Sequence, residues 1–581
     1  MALIKCPNCD NRISNLAPLC VYCGEDVSLY NETPMYEIKN GTLVKYHGSR
    51  ETVSILGDVE TVGRNSFSGC ESIKTVFIGD SVKLIDDYAF CNCPSLESVI
   101  ISNGVTQIGF RSFANCPSLK DIVLPHSIST ISERAFENCT GMEYMEIPEG
   151  VTVVGKEAFF GCTRLHSVTL ADSVNSLGFE SFCNCIALNE VNFGTGLSSI
   201  GGRTFMGCLS LEEIKIPVGV KSIGEEAFFG CFNLRNVEIS DTVNSIGMFA
   251  FAECACLERI SIPSSVTSVG IKSFNNCTLL SEVELSEGLL EIGSEAFMGC
   301  LSLQSISLPS SIEIMGFDVF CDCPSLEIIN IGSVERWCKV AFSRLRSTPK
   351  YYDKHLAVNG EIVHKMVIPS GVARVNDDTF EKCIDIESVV ISEGVESIGK
   401  RAFFGCTKLF FVSLPETLKN IGKQAFCDCE NLEEINIPDL VLEISIEAFA
   451  RCKNLKRVHI GAGVKIIENY AFSGCESIES IELCDGISSI GKGAFSGCSS
   501  LKRIVLPGSI ESIGAGSFCD CASLEEIFFK CCEEDITRML VGENPELDRA
   551  KTYYYSEEAP LEPQEYWHYD ENGTPVLWEN E

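Results

Sequence analysis

An α/β repeat solenoid, with short parallel strands stacked on a concave face, is the fold class that two observations in this 581-residue sequence predict. The first is a phenylalanine every 23 residues, from Phe67 through Phe228 to Phe320 and again from Phe380 through Phe403 to Phe518, nineteen in all. The second is a cysteine three residues after each of them, from Cys70 to Cys323 and from Cys383 to Cys521. So strict a period means stacked supersecondary units, none of which can bury its apolar face alone.

The unit is clearest from Leu211 to Asn233, LEEIKIPVGVKSIGEEAFFGCFN. Ile214 and Ile216 alternate with polar neighbours, which is the period-2 signal of a short strand, and Pro217 ends that strand by withholding a backbone donor. The Gly224 position is filled elsewhere by Asp86, Ser132, Asn376 and Ser445, residues that cap helix N-termini, with Glu468 the exception. The position before each cysteine is mostly Gly, Asn or Asp, which tolerate the left-handed conformation that closes a helix. About one turn of helix is therefore expected between the two. Strands about 4.8 Å apart give a sheet path on the order of 90 Å, an elongated and curved particle.

These residues resemble the BspA-like class of leucine-rich repeat, whose signature is the same L-x-x-I-x-I-P...V...I-G...A-F-x-G-C unit, over roughly residues 50 to 530. The resemblance implies a curved parallel-strand array and a binding or adhesion role, since exported members of the class are surface proteins. This sequence opens MALIKCPNCD, without the basic and apolar regions of a signal peptide, and no window approaches eighteen consecutive apolar residues. The expectation is a cytoplasmic protein without a membrane span, with a cell-surface location by an unrecognised export route as the alternative.

A formal charge of −36, from 81 acidic and 45 basic residues, disfavours nucleic acid as a partner, because attraction to a phosphate backbone needs a basic surface. Of the 33 cysteines, nineteen occupy the ladder, where leucine-rich repeats place a small group inside the turn, so they are expected as free, buried thiols. Cys91, Cys183, Cys321, Cys427 and Cys519 each follow the Phe directly, but in repeats that are not adjacent, so they cannot pair with one another.

Taken in order, residues 1–30 hold Cys6-Pro7-Asn8-Cys9 and Cys20-Val21-Tyr22-Cys23, two C-x-x-C knuckles ten residues apart. Four thiolates satisfy the tetrahedral preference of zinc, so Cys6, Cys9, Cys20 and Cys23 are the candidate ligands of one structural zinc ion in a zinc ribbon. Residues 31–50 follow as a cap, a hairpin about Asn40-Gly41. The first array covers 51–332. In it, the residue between the two strand isoleucines begins apolar, with Phe77, Ile100 and Val123, and then turns polar from Glu146 onward. With Tyr144 on a neighbouring column, these make a candidate contact patch, unless the N-terminal hairpin or ribbon covers them.

Residues 333–365 break the period. SVERWCKVAFSRL reads as a helix capped by Ser333, and the following stretch as a hairpin about Asn359-Gly360, together an architectural joint. Cys338, His355 and His364 lack a fourth metal ligand. The second array, 366–530, alternates charge by repeat: Glu433 and Glu434, then Lys456 and Arg457, then Glu479 and Glu482, then Lys502 and Arg503. Opposite charges thus face each other across neighbouring strands. Phe410 and Phe411 precede this series as a second contact candidate. The tail, 531–581, offers a helix from Glu533 to Leu540, a turn at Asn572-Gly573 and an aromatic run expected to seal the last repeat.

The seven histidines share no motif with a nucleophile or paired carboxylates, and no phosphate-cradling loop follows a strand, so the chain is not expected to be an enzyme. A protein or peptide bound on the concave sheet is the favoured reading. The alternatives are an exported adhesin-like protein, and a zinc ribbon acting as docking or regulatory head with the solenoid as spacer.

Overall fold

A computed structural model describes residues 35–343, 354–533, 539–560, 565–571 and 574–578, together with the backbone of Leu3–Lys5 and Arg12–Ser14. It divides into two compact units, Met1–Val243 with Phe249–Cys256, and Asn244–Met248 with Leu257–Glu581. Both are built from the same coil, with a strand of three to five residues, a two-residue strand and a run of turns.

In the first unit the hairpin Tyr36–Lys39 and Thr42–Tyr46 forms about Asn40 and Gly41, both left-handed with φ of 48° and 74°. Its second strand pairs in parallel with Thr61–Val62 and so starts the ladder of short strands. The long strands form a second ladder in which each residue faces the one 23 positions on, as Val53 faces Val76 and Val76 faces Val99. Every consensus apolar position points inward. In the Leu211 repeat, Leu211, Ile214, Ile216, Val220, Ile223, Ala227, Phe228 and Cys231 are at most 3% exposed. The Phe rings stack as a column through the core, Phe205, Phe228 and Phe251 lying 5.4 and 5.1 Å apart between centroids. At the N-terminal end Tyr46 stacks on Phe67 at 5.0 Å and takes the place of one more Phe, which is how the hairpin caps the array.

The α/β expectation is corrected where a turn of helix was placed in each repeat. Around Phe67 the amides alternate in destination: Phe67 and Gly69 donate forward, to the carbonyls of Ala89 and Cys91 in the next repeat, whereas Ser66, Ser68 and Cys70 donate three residues back. A helix would direct all of them backward within its own segment. The alternation requires two left-handed residues per repeat, here Asn65 and Gly69, and in later repeats Glu157 with Gly161 and Arg203 with Gly207. The described helices Val334–Trp337 and Pro545–Arg549 lie outside the repeats, so each unit is a β-solenoid. Nor does the Gly224 column cap a helix; where it holds glycine, the coils approach closely. A Cβ on Gly224 would stand 2.7 Å from the backbone carbon of Gly201.

The cysteine ladder has a geometric role. Along each array the ladder thiols donate to the carbonyl of the Phe in the preceding repeat, as Cys93 to Phe67 at 3.1 Å, Cys231 to Phe205 at 3.2 Å and Cys452 to Phe426 at 3.2 Å. Cys162, Cys208, Cys231 and Cys452 form no disulfide. Burial pushes the Cys231 thiol up to about 12 and those of Cys162 and Cys208 well above the ordinary thiol range. Because the thiolate is the nucleophile, these groups are expected to resist alkylation. In native protein treated with iodoacetamide at pH 8, site-resolved mass spectrometry should find exposed Cys532 labelled and Cys162, Cys208 and Cys452 unlabelled, all four reacting in urea. Labelling of the ladder in native protein at the rate of Cys532 would refute the assignment.

In the second unit the joint carries the ladders onward. Ser333 caps the helix Val334–Trp337, shorter than the sequence suggests because Ala341–Phe342 already pairs with Ile314–Met315. His355–Val358 extends the long-strand ladder from Ile328–Ile331 and turns at Asn359-Gly360 into the antiparallel Glu361–Ile362. Trp337 is buried and its indole N–H donates to the Thr379 carbonyl at 3.0 Å, fastening the joint to the first repeat of the second array. The alternating charges pair as expected, Lys502 with Glu479 at 3.3 Å and Arg457 with Glu434 at 2.5 Å. All four are exposed, so each pair is worth only about 0.2–1 kcal/mol.

The helix expected over 533–540 lies mostly outside the described residues, and Leu540–Val541 is a strand on Ser512–Ile513. The turn residues Asn572 and Gly573 also lie outside them, but the flanking strands Tyr566–Tyr569 and Pro575–Leu577 pair antiparallel. Aromatic residues of the tail pack on the last strands. Val505, Phe528, Tyr553 and Trp567 form one buried cluster, with Tyr555 and Tyr569 packed against it.

Candidate functional site

The outward side of the long strands is an extended surface that the core does not determine, because inward and outward residues alternate along each strand. In the first unit, Phe77 lies beside Ile100 and Ile100 beside Val123 in the strand register. They are 37, 47 and 74% exposed, and Tyr144 is 67% exposed on the adjoining column, so no described residue covers the patch. The hairpin that could have covered it joins the short-strand ladder instead.

Further along the same face the outward residues become acidic and amide-bearing. Glu190, Glu213 and Glu238, with Asn192 and Asn236, line a shallow hollow of about 360 Å³, in which Lys215 pairs with Glu238 at 3.0 Å.

In the second unit Phe410 and Phe411 are half exposed, Phe411 standing between Ser388 and Glu434 in register. Val367 and Val390 face each other in register and are also exposed, 57 and 41%. The sequence reading missed these two. They occupy, in KMVIP and SVVIS, the outward position that Phe77 holds in its own repeat, and that position is the signal that marks them. Beside Phe411 a hollow of about 270 Å³ is bordered by Glu416, Asn436, Asp439 and His459.

The titratable groups of the joint are structural. His355 Nδ1 meets Asp385 Oδ2 at 2.5 Å, and Lys408 Nζ donates to Asp385 Oδ1 at 3.3 Å. Burial alone would raise the Asp385 carboxyl, but those two hydrogen bonds outweigh it and hold the group below its ordinary range. Cys338 is buried at the end of its helix, and His364 pairs with Glu387 at 3.7 Å. Among the described residues no group of three His, Cys, Asp or Glu could hold a metal ion.

Cys6, Cys9, Cys20 and Cys23 lie outside the described residues. The backbone on either side of the first knuckle is described: Leu3–Lys5 pairs antiparallel with Arg12–Ser14. Among the described residues no helix is long and apolar enough to cross a membrane.

A family model for the BspA type leucine rich repeat region matches residues 38–166, 152–279, 244–348, 359–465 and 420–540. None of the curated proteins compared with the chain matches it. Among solved structures, a leucine-rich repeat protein from Bacteroides ovatus is 23% identical over 82% of this chain and 94% of its own, with a TM-score of 0.30. A leucine rich cell surface protein from Faecalibacterium prausnitzii is 20% identical over 88% and 98%, with a TM-score of 0.22. The pneumococcal vaccine antigen PcpA is 19% identical over 71% and 91%, with a TM-score of 0.35. With the family model matching well over half of its length, and with the long-strand and short-strand ladders on which those residues fold, the chain belongs to the BspA-type leucine-rich repeat family.

Proposed function

We propose that this protein is a non-catalytic scaffold that binds a protein or peptide on the outward face of its long strands, through Phe77, Ile100, Val123 and Tyr144. Phe410 and Phe411 form a second contact of the same kind. The observation that carries the reading is the row Phe77, Ile100 and Val123, adjacent in register, exposed, and outside a core that is complete without it. Apolar and aromatic side chains held on a rigid sheet are the anchors from which protein interfaces draw most of their energy. Glu190, Glu213 and Glu238 then favour basic partners and speed encounter at low salt.

The double variant Ile100→Asp with Val123→Asp is expected to fold with an unchanged melting temperature and to lose the proteins that the wild-type chain retains in an affinity pull-down from its native organism. A folded double variant that retains the same proteins would place recognition elsewhere. If it unfolds, the row belongs to the core.

The N-terminal module is proposed to hold one structural zinc ion at Cys6, Cys9, Cys20 and Cys23. The antiparallel backbone pair bracketing Cys6 and Cys9 in the sequence supports this, as does the donor set, four thiolates being a closed tetrahedral shell. Elemental analysis is expected to give one zinc per chain, and none after Cys20→Ser with Cys23→Ser. Iron in the wild type, or full zinc in that variant, would refute it.

Ladder thiols committed to hydrogen bonds support a reducing compartment as the working location. On this reading the exported adhesin-like role and the docking-head role are the alternatives. Loss of partner capture on deleting residues 1–30, with capture surviving Ile100→Asp and Val123→Asp, would favour the docking head.

A further inference from the structure

The second unit contains an occupied version of the proposed contact row. In the outward column of its last strands, Glu482, Val505, Phe528 and Tyr553 follow one another in register. The chain's own later strand Tyr566–Tyr569, which pairs with the end of Lys551–Tyr555, covers them: Trp567 is fully buried, its ring edge-on to Phe528 at 5.5 Å and its N–H donating to the Phe529 carbonyl at 3.0 Å. Two residues on, the Tyr569 hydroxyl donates to Glu482 Oε1 at 2.7 Å, on the strand two places back from Phe528. One indole buried on the apolar part of the column, and one phenol that shares its carboxylate with Lys530 Nζ at 2.8 Å, complete the cover.

In the first unit the same column reads Phe77, Ile100, Val123 and, one period on, Glu146. This is the same succession in the opposite order along the stack: carboxylate, valine, larger apolar residue, aromatic. Glu146 is outward and exposed, and among the described residues it makes no ion pair. The first-unit row therefore carries the apolar groups and the carboxylate that meet Trp567 and Tyr569 in the second unit, without an occupant among the described residues.

Resting on the docking reading above, we propose that the partner of the Phe77 row is an extended polypeptide segment of another protein with two aromatic residues at alternate positions. One ring packs over Ile100 and Val123, and the other residue is a tyrosine whose hydroxyl donates to Glu146. Alternate positions are required because side chains of an extended segment share a face every second residue, as Trp567 and Tyr569 do. The carboxylate sets the identity of the second residue, since phenylalanine would leave it without the hydrogen bond that Glu482 receives.

The test uses the full chain and a phage-displayed library of random peptides, with affinities of selected synthetic peptides measured by fluorescence anisotropy. Selected peptides are expected to carry paired aromatics one residue apart, tyrosine among them, and Val123→Asp should weaken them at least about tenfold, as loss of an interface anchor does. Glu146→Gln and a Tyr→Phe change in the peptide should each weaken binding several-fold, and together no more than either alone. Peptides that lack paired aromatics yet are lost on Val123→Asp would overturn this inference and leave the docking reading standing. Peptides indifferent to Val123→Asp, or none selected, would overturn both. Binding that appears only after residues 1–34 are removed would make that segment the occupant. A dimer dissociated by Ile100→Asp would make it a second copy. Either outcome overturns the proposal of a foreign aromatic segment.

Discussion

Replacing Phe228 by alanine is expected to lower the stability of the first unit by about 3–5 kcal/mol, the upper range for a buried aromatic. The ring is enclosed between Phe205 and Phe251, nearly parallel to both, and nothing can move in to fill the gap. Its neighbours are held at their spacing by the ladder, in which Phe228 itself donates to the Ala250 carbonyl at 2.8 Å. Because each coil contacts only its neighbours, the damage should also divide the urea transition into a broader or two-step curve. Phe228→Leu should recover most of the loss. Phe232→Ala, four residues along and half exposed, is the control and should stay within about 0.5 kcal/mol of wild type. Equal effects at the two positions would refute the view of the Phe column as the spine of the core.

Trp567→Ala is expected to cost the second unit a comparable amount, about 3–5 kcal/mol. Its loss would uncover Val505, Phe528 and Tyr553 together, so the variant should bind a hydrophobic dye that the wild type does not. Trp567→Phe separates the two contributions. It keeps most of the buried ring area but leaves the Phe529 carbonyl without the indole donor, a loss of about 1–3 kcal/mol. Trp578→Ala is the matched control, because that indole sits partly buried against the Ser556 carbonyl, outside the apolar cluster. A Trp567→Ala variant with wild-type stability and no dye binding would show that the strand Tyr566–Tyr569 does not cap the array.

The repeat, its core positions and its ends were legible because burial imposes a residue class at fixed intervals: Phe228, Cys231, Ile214 and Ile216 announce themselves, as do the turns at Asn40-Gly41 and Asn359-Gly360. The local conformation between them was not. Gly161 and Asn138 betrayed one left-handed position, but the other is filled by Glu157, Arg134 and Arg203, residues with no preference for that region, held there by hydrogen bonds to the next coil. A force that comes from 22 residues away leaves no mark in the local sequence, so the segment read as helix. The contact row was legible for a related reason: Ile100 and Val123 are apolar where the alternation calls for polar residues, and only a surface with work of its own, or a cover, explains that. Whether such a row is covered depends on the path of another segment. This is why Val505 and Phe528, alike in sequence to Val123 and Ile100, have the opposite fate.

The forward-reaching amides have a consequence for how such a chain can change in length. Every coil is addressed by position, since Phe67 must find Ala89 and Val53 must find Val76 for the register to close. Deleting one residue from a strand shifts every later partner in that coil and turns inward-facing side chains out, because a single-residue slip reverses the faces of a strand. Deleting 23 residues shifts none: the coil after the cut meets the coil before it with the same donors, the same rings and the same thiol. The larger lesion is therefore the milder one. A chain of this architecture can therefore lose or gain a whole coil with less damage than a single residue within a strand.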